Sequence, residues 1–162
     1  MKINGYMPDL ITYNALINCF CKFGMLHRAF GYLNEMGSSS LKLNIVTYSS
    51  FIDSFCKEGM MQKANYFFVD LRIRGLGPNE FTYTCLIDGN FKARNLQEVA
   101  KLFEEMVGNG ISPDKVAYTS LMHDYLKRGK LEEAFILRDK SGLELDLHAY
   151  ILRFGAYVLV KI

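Results

Sequence analysis

Residues 45–59, IVTYSSFIDSFCKEG, decide the fold of this chain because several of their positions return at a fixed interval. The tyrosine of this stretch belongs to a series spaced 35 residues apart, Tyr13, Tyr48, Tyr83 and Tyr118. The lysine belongs to a second series with the same spacing, Lys22, Lys57, Lys92 and Lys127. Equal intervals in independent columns indicate an internal repeat of 35 residues.

Counted from Leu10, the repeat divides the chain into successive units. We predict units at residues 10–44, 45–79 and 80–114, and a fourth at residues 115–146 that is three residues short. Residues 1–9 match the tail of a preceding unit, and residues 147–162 begin a fifth unit and stop. The chain is therefore predicted to be a short array of one structural element, and positions below are counted from the first residue of each unit.

Each unit has the pattern of two helices. In the first unit, positions 4, 7, 8 and 11 are apolar and fall on one helical face, as Tyr13, Leu16, Ile17 and Phe20. A glycine break such as Gly59 separates this helix from a second, and a Gly-Ile-x-Pro-Asp segment at residues 110–114 ends the second helix. No single hairpin can bury its apolar stripe. We therefore predict an all-α fold, a right-handed α-solenoid of stacked antiparallel helix-turn-helix repeats.

The opposite face of the first helix carries positions 2, 5 and 13. In a stack of hairpins these faces lie side by side, so each position forms a row along the stack. Position 2 gives an apolar row, position 5 a row of small polar residues and position 13 a row of lysines. A lysine at one fixed angle in every unit favours a row of phosphate contacts.

Composition excludes several classes of protein. The chain has 162 residues, of which 50% are hydrophobic and 22% charged, and this is too apolar for a disordered chain. It has no run of 18 apolar residues, so we expect no membrane-spanning helix. The formal net charge of +2 neither requires nor excludes nucleic acid. Residues 1–10, MKINGYMPDL, lack a signal core and an arginine-rich stretch, so no targeting segment is expected in this chain.

The sequence offers no catalytic or metal-binding motif. The cysteines have no zinc-type spacing; they are Cys19, Cys21, Cys56 and Cys85. We expect them to be small buried hydrophobic residues of a protein in a reducing compartment. None of His27, His123 and His148 is followed by glutamate two residues later, as a zinc deaminase requires. We expect no enzyme activity and no cofactor.

The unit resembles the pentatricopeptide repeat. The residues that carry the resemblance are Ile45-Val46-Thr47-Tyr48-Ser49, Cys56-Lys57-Glu58-Gly59, Glu105-Met106 and Gly110-Ile111-Ser112-Pro113-Asp114. Plain 35-residue units look like the P-type subclass, which includes restorer-of-fertility-like proteins. The related tetratricopeptide repeat has 34 residues and a tryptophan signature, whereas this chain contains no tryptophan.

The resemblance implies sequence-specific binding of single-stranded RNA, one base per unit, in the processing or stabilisation of organellar transcripts. It implies a mitochondrial location, with a plastid as the less expected one. It also implies that the residue at position 2 stacks on the bases. The residue at position 5 and the last residue of the same unit would together recognise the base, and they are called the base-reading pair below. The stacking row is Ile11, Val46, Phe81 and Val116. The lysine row that would bind phosphates is Lys22, Lys57, Lys92 and Lys127.

The base-reading pairs predict a preferred sequence. Aspartate only accepts hydrogen bonds and suits guanine or uracil, whereas an asparagine amide donates to the bare ring nitrogen of adenine or cytosine. A short Ser or Thr at position 5 leaves room for a purine, and the longer Asn reaches a pyrimidine. The pairs are Asn14 with Asn44 for cytosine (or uracil), Ser49 with Asn79 for adenine, Thr84 with Asp114 for guanine, and Thr119 with Asp146 for guanine. The predicted preference is 5′-CAG(G)-3′.

Each row also has a purely structural explanation. Asn44, Asn79 and Asp114 are placed to cap the following helix, and a lysine at a helix C-terminus interacts with its dipole. A protein-binding scaffold and a non-functional fragment of a longer array are therefore alternative functions. The apolar end at residues 157–162 is an alternative contact for a protein partner.

Overall fold

The computed structural model describes residues 8–38 and 41–141, and these contain eight helices and no strand. The helices are α1 Leu10–Lys22, α2 Leu26–Ser38, α3 Ile45–Lys57, α4 Met61–Ile73, α5 Glu80–Lys92, α6 Leu96–Gly108, α7 Lys115–Lys127 and α8 Leu131–Ser141. The odd-numbered helices begin 35 residues apart. The prediction of an all-α solenoid is confirmed.

The hairpins share one core. Each odd-numbered helix packs against the even-numbered helix that follows it, and the odd-numbered helices α1, α3, α5 and α7 also pack side by side. Between the first two hairpins, Phe30 of α2, Phe51 and Phe55 of α3 and Phe67 of α4 form a cluster with ring centroids 4.9 to 6.2 Å apart. Because side chains of one hairpin fill the interior of the next, neither hairpin is complete alone.

The tyrosine column holds the two helices of a hairpin together. Tyr13, Tyr48 and Tyr83 are fully buried. The Tyr48 hydroxyl donates a hydrogen bond to the Asp70 carboxylate on α4. The Tyr83 hydroxyl donates to Glu105 Oε1 on α6 at 2.9 Å and accepts from Asn109 Nδ2 at 2.8 Å. Since a buried hydroxyl without a partner is costly, each bond fixes where the second helix lies on the first.

The turn between the two helices needs a left-handed backbone. Gly24, Gly59 and Gly129 have φ of 69°, 70° and 72° at this turn, and Arg94 takes the same place with φ of 59°. A side chain in this conformation costs roughly 1–2 kcal/mol. The arginine that replaces the expected glycine therefore keeps the turn geometry at some expense of stability.

Successive first helices approach each other closely at position 10. A Cβ atom added to Gly89 of α5 would lie 2.9 Å from both Cys56 Cβ and Met61 Sδ. One unit earlier, the hydroxyl of Ser54 donates to the backbone oxygen of Cys21 on α1 at 3.2 Å. Small residues at this position therefore allow the helix axes to come together.

The same geometry corrects one prediction. Cys21, Cys56 and Cys85 are buried as expected, but Cys19 is exposed. Cys19 occupies position 10 of the first unit, and no described helix precedes α1 to cover it.

Gly89 and Gly31 allow a matched test of this close approach. Gly89→Ala is expected to lower the free energy of unfolding by about 1–3 kcal/mol, because the new methyl group collides with the Cys56 and Met61 side chains. Gly31→Ala, in the middle of α2 with open space around it, is expected to raise that free energy by about 0.5–1 kcal/mol through helix propensity. Urea denaturation followed by circular dichroism measures both. Equal stabilisation by the two substitutions would contradict the close approach.

Candidate nucleic-acid interface

An apolar row lies on the surface at the start of the first helices. Ile11, Val46, Phe81 and Val116 are the second residues of α1, α3, α5 and α7, and their side chains are 77%, 50%, 51% and 44% exposed. The structure thus places the predicted stacking row in a position accessible to a ligand.

The lysine row lies at the other end of the same helices. Lys22, Lys57, Lys92 and Lys127 are the last residues of α1, α3, α5 and α7, and all are exposed. Lys57 pairs with Asp53 at 2.6 Å and Lys92 with Asp88 at 2.6 Å, each one turn earlier. The hydrogen bond that the Lys57 ammonium donates to the Asp53 carboxylate raises the pKa of Lys57.

The two outer lysines differ from the two inner ones. Lys22 and Lys127 form no ion pair with any residue in the described ranges. Position 9, one turn before the lysine, is Asn18 in the first unit and His123 in the fourth, where the inner units have aspartate. The pKa of His123 is lowered by burial and by the nearby Lys127 ammonium.

The last residue of each unit caps the next helix, as the structural alternative predicted. Asn44 Oδ1 accepts from the Thr47 backbone N–H at 3.1 Å, and Asn79 Oδ1 accepts from that of Thr82 at 2.9 Å. Asp114 Oδ1 accepts from the Ala117 backbone N–H at 2.8 Å. A cap uses only one end of the side chain, so capping does not exclude a second contact through the other end.

Position 5 is less open than the sequence predicted. Ser49 is 6% exposed, and its Oγ lies 3.1 Å from Thr82 Oγ1 of the next first helix. The Asn14 amide likewise contacts the hydroxyl of Thr47. The expectation that this row lies on the face away from the core was wrong in this respect, because the neighbouring first helix covers one side of it.

The last two members of this row are half-buried. Thr119 Oγ1 donates to the backbone oxygen of Lys115 at 2.7 Å. Thr84 Oγ1 is buried and has no hydrogen-bond partner among the described residues. A buried hydroxyl without a partner is rare in folded proteins.

One cavity brings the residues predicted for the third unit together. Phe81, Thr84 and Asp114 line a cavity of about 370 Å³ with Asn79 and Glu80. The exposed Phe81 ring, Thr84 and Asp114 therefore line one volume in the range of ligand sites, about 300–1,000 Å³. A second cavity of about 490 Å³ lies one unit further along and includes Val116 and Thr119 of the predicted site.

The buried thiols of Cys21 and Cys56 are unsuited to nucleophilic or metal-binding chemistry. Burial raises the pKa of Cys21 to about 11 and that of Cys56 to about 12. These thiols stay protonated at neutral pH, whereas a nucleophile or metal ligand needs the thiolate. The described residues contain no cluster of three metal-ligating side chains.

None of the described helices has the length and apolar character required to cross a membrane.

Some predicted features lie outside the described residues. These are Asp146 of the fourth base-reading pair, the apolar end at residues 157–162 and most of the tail at residues 1–9. They stay predictions.

Sequence reasoning overlooked Thr47 and Thr82. Each hydroxyl contacts both members of the base-reading pair in the preceding unit: Thr47 contacts Asn14 and Asn44, and Thr82 contacts Ser49 and Asn79. The signal was present as a third series with a 35-residue interval, Thr12, Thr47 and Thr82, which Ala117 interrupts.

The sequence has matches among known protein families and known proteins. It matches the PPR repeat family over residues 8–57, 43–92 and 84–124, and a PPR repeat over residues 116–140. The pentatricopeptide repeat-containing protein At2g16880 of Arabidopsis thaliana is 36% identical over 44 residues, which cover 27% of this chain and 6% of that protein.

Solved structures show the same architecture. The pentatricopeptide repeat protein PPR10 from maize, in complex with an 18-nt psaJ RNA element, is 29% identical with a TM-score of 0.71, covering 93% of this chain and 21% of that one. The PPR domain of Arabidopsis thaliana protein-only RNase P 1, in complex with tRNA, shares the fold at 14% identity with a TM-score of 0.60, covering 86% of this chain and 68% of that one. The family match extends over most of the chain, and the hairpins stack as they do in these structures. The chain therefore belongs to the PPR repeat family.

Proposed function

We propose that this chain binds single-stranded RNA along the layer of first helices, with one base for each unit. The cavity of the third unit is the observation that carries the proposal. There the Phe81 ring can stack on a base, while Thr84 and Asp114 line the same cavity beside it. The likeness to PPR10, which is solved with an 18-nt RNA, supports the same assignment.

The exposed lysines supply the contacts to the RNA backbone. They recur at the C-terminal ends of four parallel helices, so an extended strand that follows the stacking row passes each of them in turn. Asp53 and Asp88 already neutralise Lys57 and Lys92, and a phosphate must displace these carboxylates. The inner lysines therefore contribute less to affinity than the outer two.

The base preference proposed for the described units is 5′-CAG-3′, extended by guanine if Asp146 reads the fourth base. Asp114 can only accept, and it complements the ring N–H of guanine. Asn79 directs Oδ1 to the Thr82 backbone N–H, which leaves its amide nitrogen to donate to adenine. The same reasoning gives cytosine for Asn44, with Asn14 reaching the smaller ring.

We further propose that the chain is a binding module and not an enzyme, of the P-type and restorer-of-fertility-like kind. Its role would be in processing or stabilising organellar transcripts, with the mitochondrion as the location. The even 35-residue units support the P-type assignment, and the protonated buried thiols support a binding module. The organellar role and the location rest on the family resemblance alone.

Binding by these units alone is expected to be micromolar or weaker, because a few bases at about 1–3 kcal/mol each must offset an association cost of at least about 4 kcal/mol. Fluorescence anisotropy should show preference for an oligonucleotide containing 5′-CAG-3′ over a U-rich one.

The logarithm of affinity should fall with the logarithm of salt concentration at a slope near −3 if four lysines bind phosphates. A chain without sequence preference and without salt dependence would instead be a protein-binding scaffold.

Exchange of one amide for a carboxylate tests the base assignment. Asn79→Asp replaces the amide donor with an acceptor, so the second unit should change its preference from adenine to guanine, by about 1–3 kcal/mol for the base concerned. The substitution keeps the cap on α5, because the Thr82 backbone N–H still has an oxygen to bind. Affinities for two oligonucleotides that differ only at this base measure the change. An unchanged preference would remove Asn79 from base reading.

Removal of an aspartate tests the lysine row. Asp88→Asn frees Lys92 from its 2.6 Å ion pair, and we expect RNA to bind about two- to fivefold more tightly, since exposed pairs contribute about 0.2–1 kcal/mol. The salt slope should become steeper by up to about 0.7. The control is Asp139→Asn on α8, which makes the same charge change at the Arg138 pair on the layer of second helices. If both variants gain affinity equally, net charge and not the lysine row explains the effect.

A further inference from the structure

The hydroxyl of Thr82 joins both members of the second unit's base-reading pair. It lies 2.7 Å from Asn79 Oδ1 and 3.1 Å from Ser49 Oγ. Asn79 caps the helix that contains Thr82, whereas the contact between Thr82 and Ser49 crosses the interface between hairpins.

The directions of these hydrogen bonds follow from the donors present. The Thr82 backbone N–H donates to Asn79 at 2.9 Å, so the amide atom that faces it is the oxygen. That oxygen only accepts, and the Thr82 hydroxyl must therefore donate its one hydrogen to it at 2.7 Å. Ser49 is then the donor in its 3.1 Å contact with Thr82.

The base consequently meets a defined set of polar atoms. Asn79 Oδ1 already accepts two hydrogen bonds from Thr82, so the amide side chain presents its Nδ2 donor to a ligand. Ser49 has used its hydrogen and presents an oxygen lone pair. Asn79 Nδ2 can donate to a bare ring nitrogen, and Ser49 Oγ can accept from the exocyclic amine beside it. This arrangement suits adenine and disfavours guanine.

The first unit repeats the contacts of the threonine hydroxyl with both members of the base-reading pair, and the third unit lacks them. Thr47 contacts the Asn14 amide and lies 3.2 Å from Asn44 Oδ1. In the fourth unit the corresponding residue is Ala117, which offers only its backbone N–H to Asp114 at 2.8 Å. Across this interface Thr84 Oγ1 has no partner among the described residues, which is the consequence expected from the missing hydroxyl.

We propose that the threonine at position 3 is a positioning residue that sets the base choice of the preceding unit. Thr47 and Thr82 act without touching the RNA: each orients both members of the neighbouring base-reading pair and decides which of their polar atoms face the base. This inference rests on the proposed RNA binding. The base-reading pair of the third unit lacks such a positioning residue, because Ala117 stands at position 3 of the fourth unit.

Thr82→Val and Thr82→Ser form the main test. Valine keeps the branched shape and the backbone N–H but removes the hydroxyl, whereas serine retains it. With oligonucleotides that differ only at the second unit's base, Thr82→Val should lose about three- to tenfold of the preference for adenine over guanine, the range of one net hydrogen bond. Thr82→Ser should keep the preference. Affinity is measured by anisotropy on the whole chain, and folding by circular dichroism.

Thr12→Val is the matched control. Thr12 makes the same type of bond to its capping residue, 2.7 Å to Asp9 Oδ1, and contacts no position-5 side chain within the described residues. Thr12→Val should leave the preference of the second unit for adenine over guanine unchanged. If Thr82→Val keeps the preference of the original chain, or weakens all oligonucleotides equally, Thr82 is only structural and the inference is overturned. If the original chain itself shows no preference between bases, the proposed base reading fails, and the inference with it.

Ala117→Thr tests the inference by gain, so the result does not depend on Thr82→Val folding. The new hydroxyl can donate to Asp114 and accept from Thr84, whose Oγ1 is otherwise without a partner in the described structure. Thr84 then gives its hydrogen to the new hydroxyl and presents an oxygen lone pair, as Ser49 does in the second unit. We therefore expect the preference of the third unit for guanine over adenine to fall about three- to tenfold. An unchanged preference in a folded variant would overturn the inference.

Discussion

The shared core between successive first helices is the constraint on which the rest of this structure depends. No hairpin buries its own apolar face, so α3 and α5 must each pack against the first helices before and after them. Gly89 shows how closely they approach, because even one added carbon would collide with the side chains of Cys56 and Met61. A contact this close fixes the offset between units, and every exposed position is then repeated at a constant spacing. A regular row of side chains can match a polymer whose own units are regular.

The residues that cap the first helices are also those proposed to contact the RNA bases. Asn79 illustrates how both roles are compatible. Its oxygen satisfies the first turn of α5, and its nitrogen stays available on the surface. Since the cap is formed without ligand, the side chain is held in one orientation before binding, which lowers the entropy that binding would cost. The structural and the recognition explanations of these residues are therefore two uses of one geometry.

The lysine row follows a different principle. Lys57 and Lys92 are exposed, and the aspartates beside them are one turn away on the same helix. Such pairs contribute little to stability, so a phosphate can replace the carboxylate at low cost. In the proposed RNA complex, base choice would therefore depend on buried, oriented groups, and attraction to the backbone on exposed charges.

The sequence alone determined the local and periodic features of this protein. The spacing of Tyr48 and Lys57 and their counterparts predicted the helices and the rows, because period and capping depend on neighbouring residues along one chain. The cavity beside Phe81, the covered side of Ser49 and the exposure of Cys19 were decided only by the tertiary structure. Each of these depends on which helix lies next to the residue and at what distance. The role of Thr82 belongs to the same group, since its hydroxyl meets Ser49 from 33 residues away, across an interface that exists only when the hairpins stack.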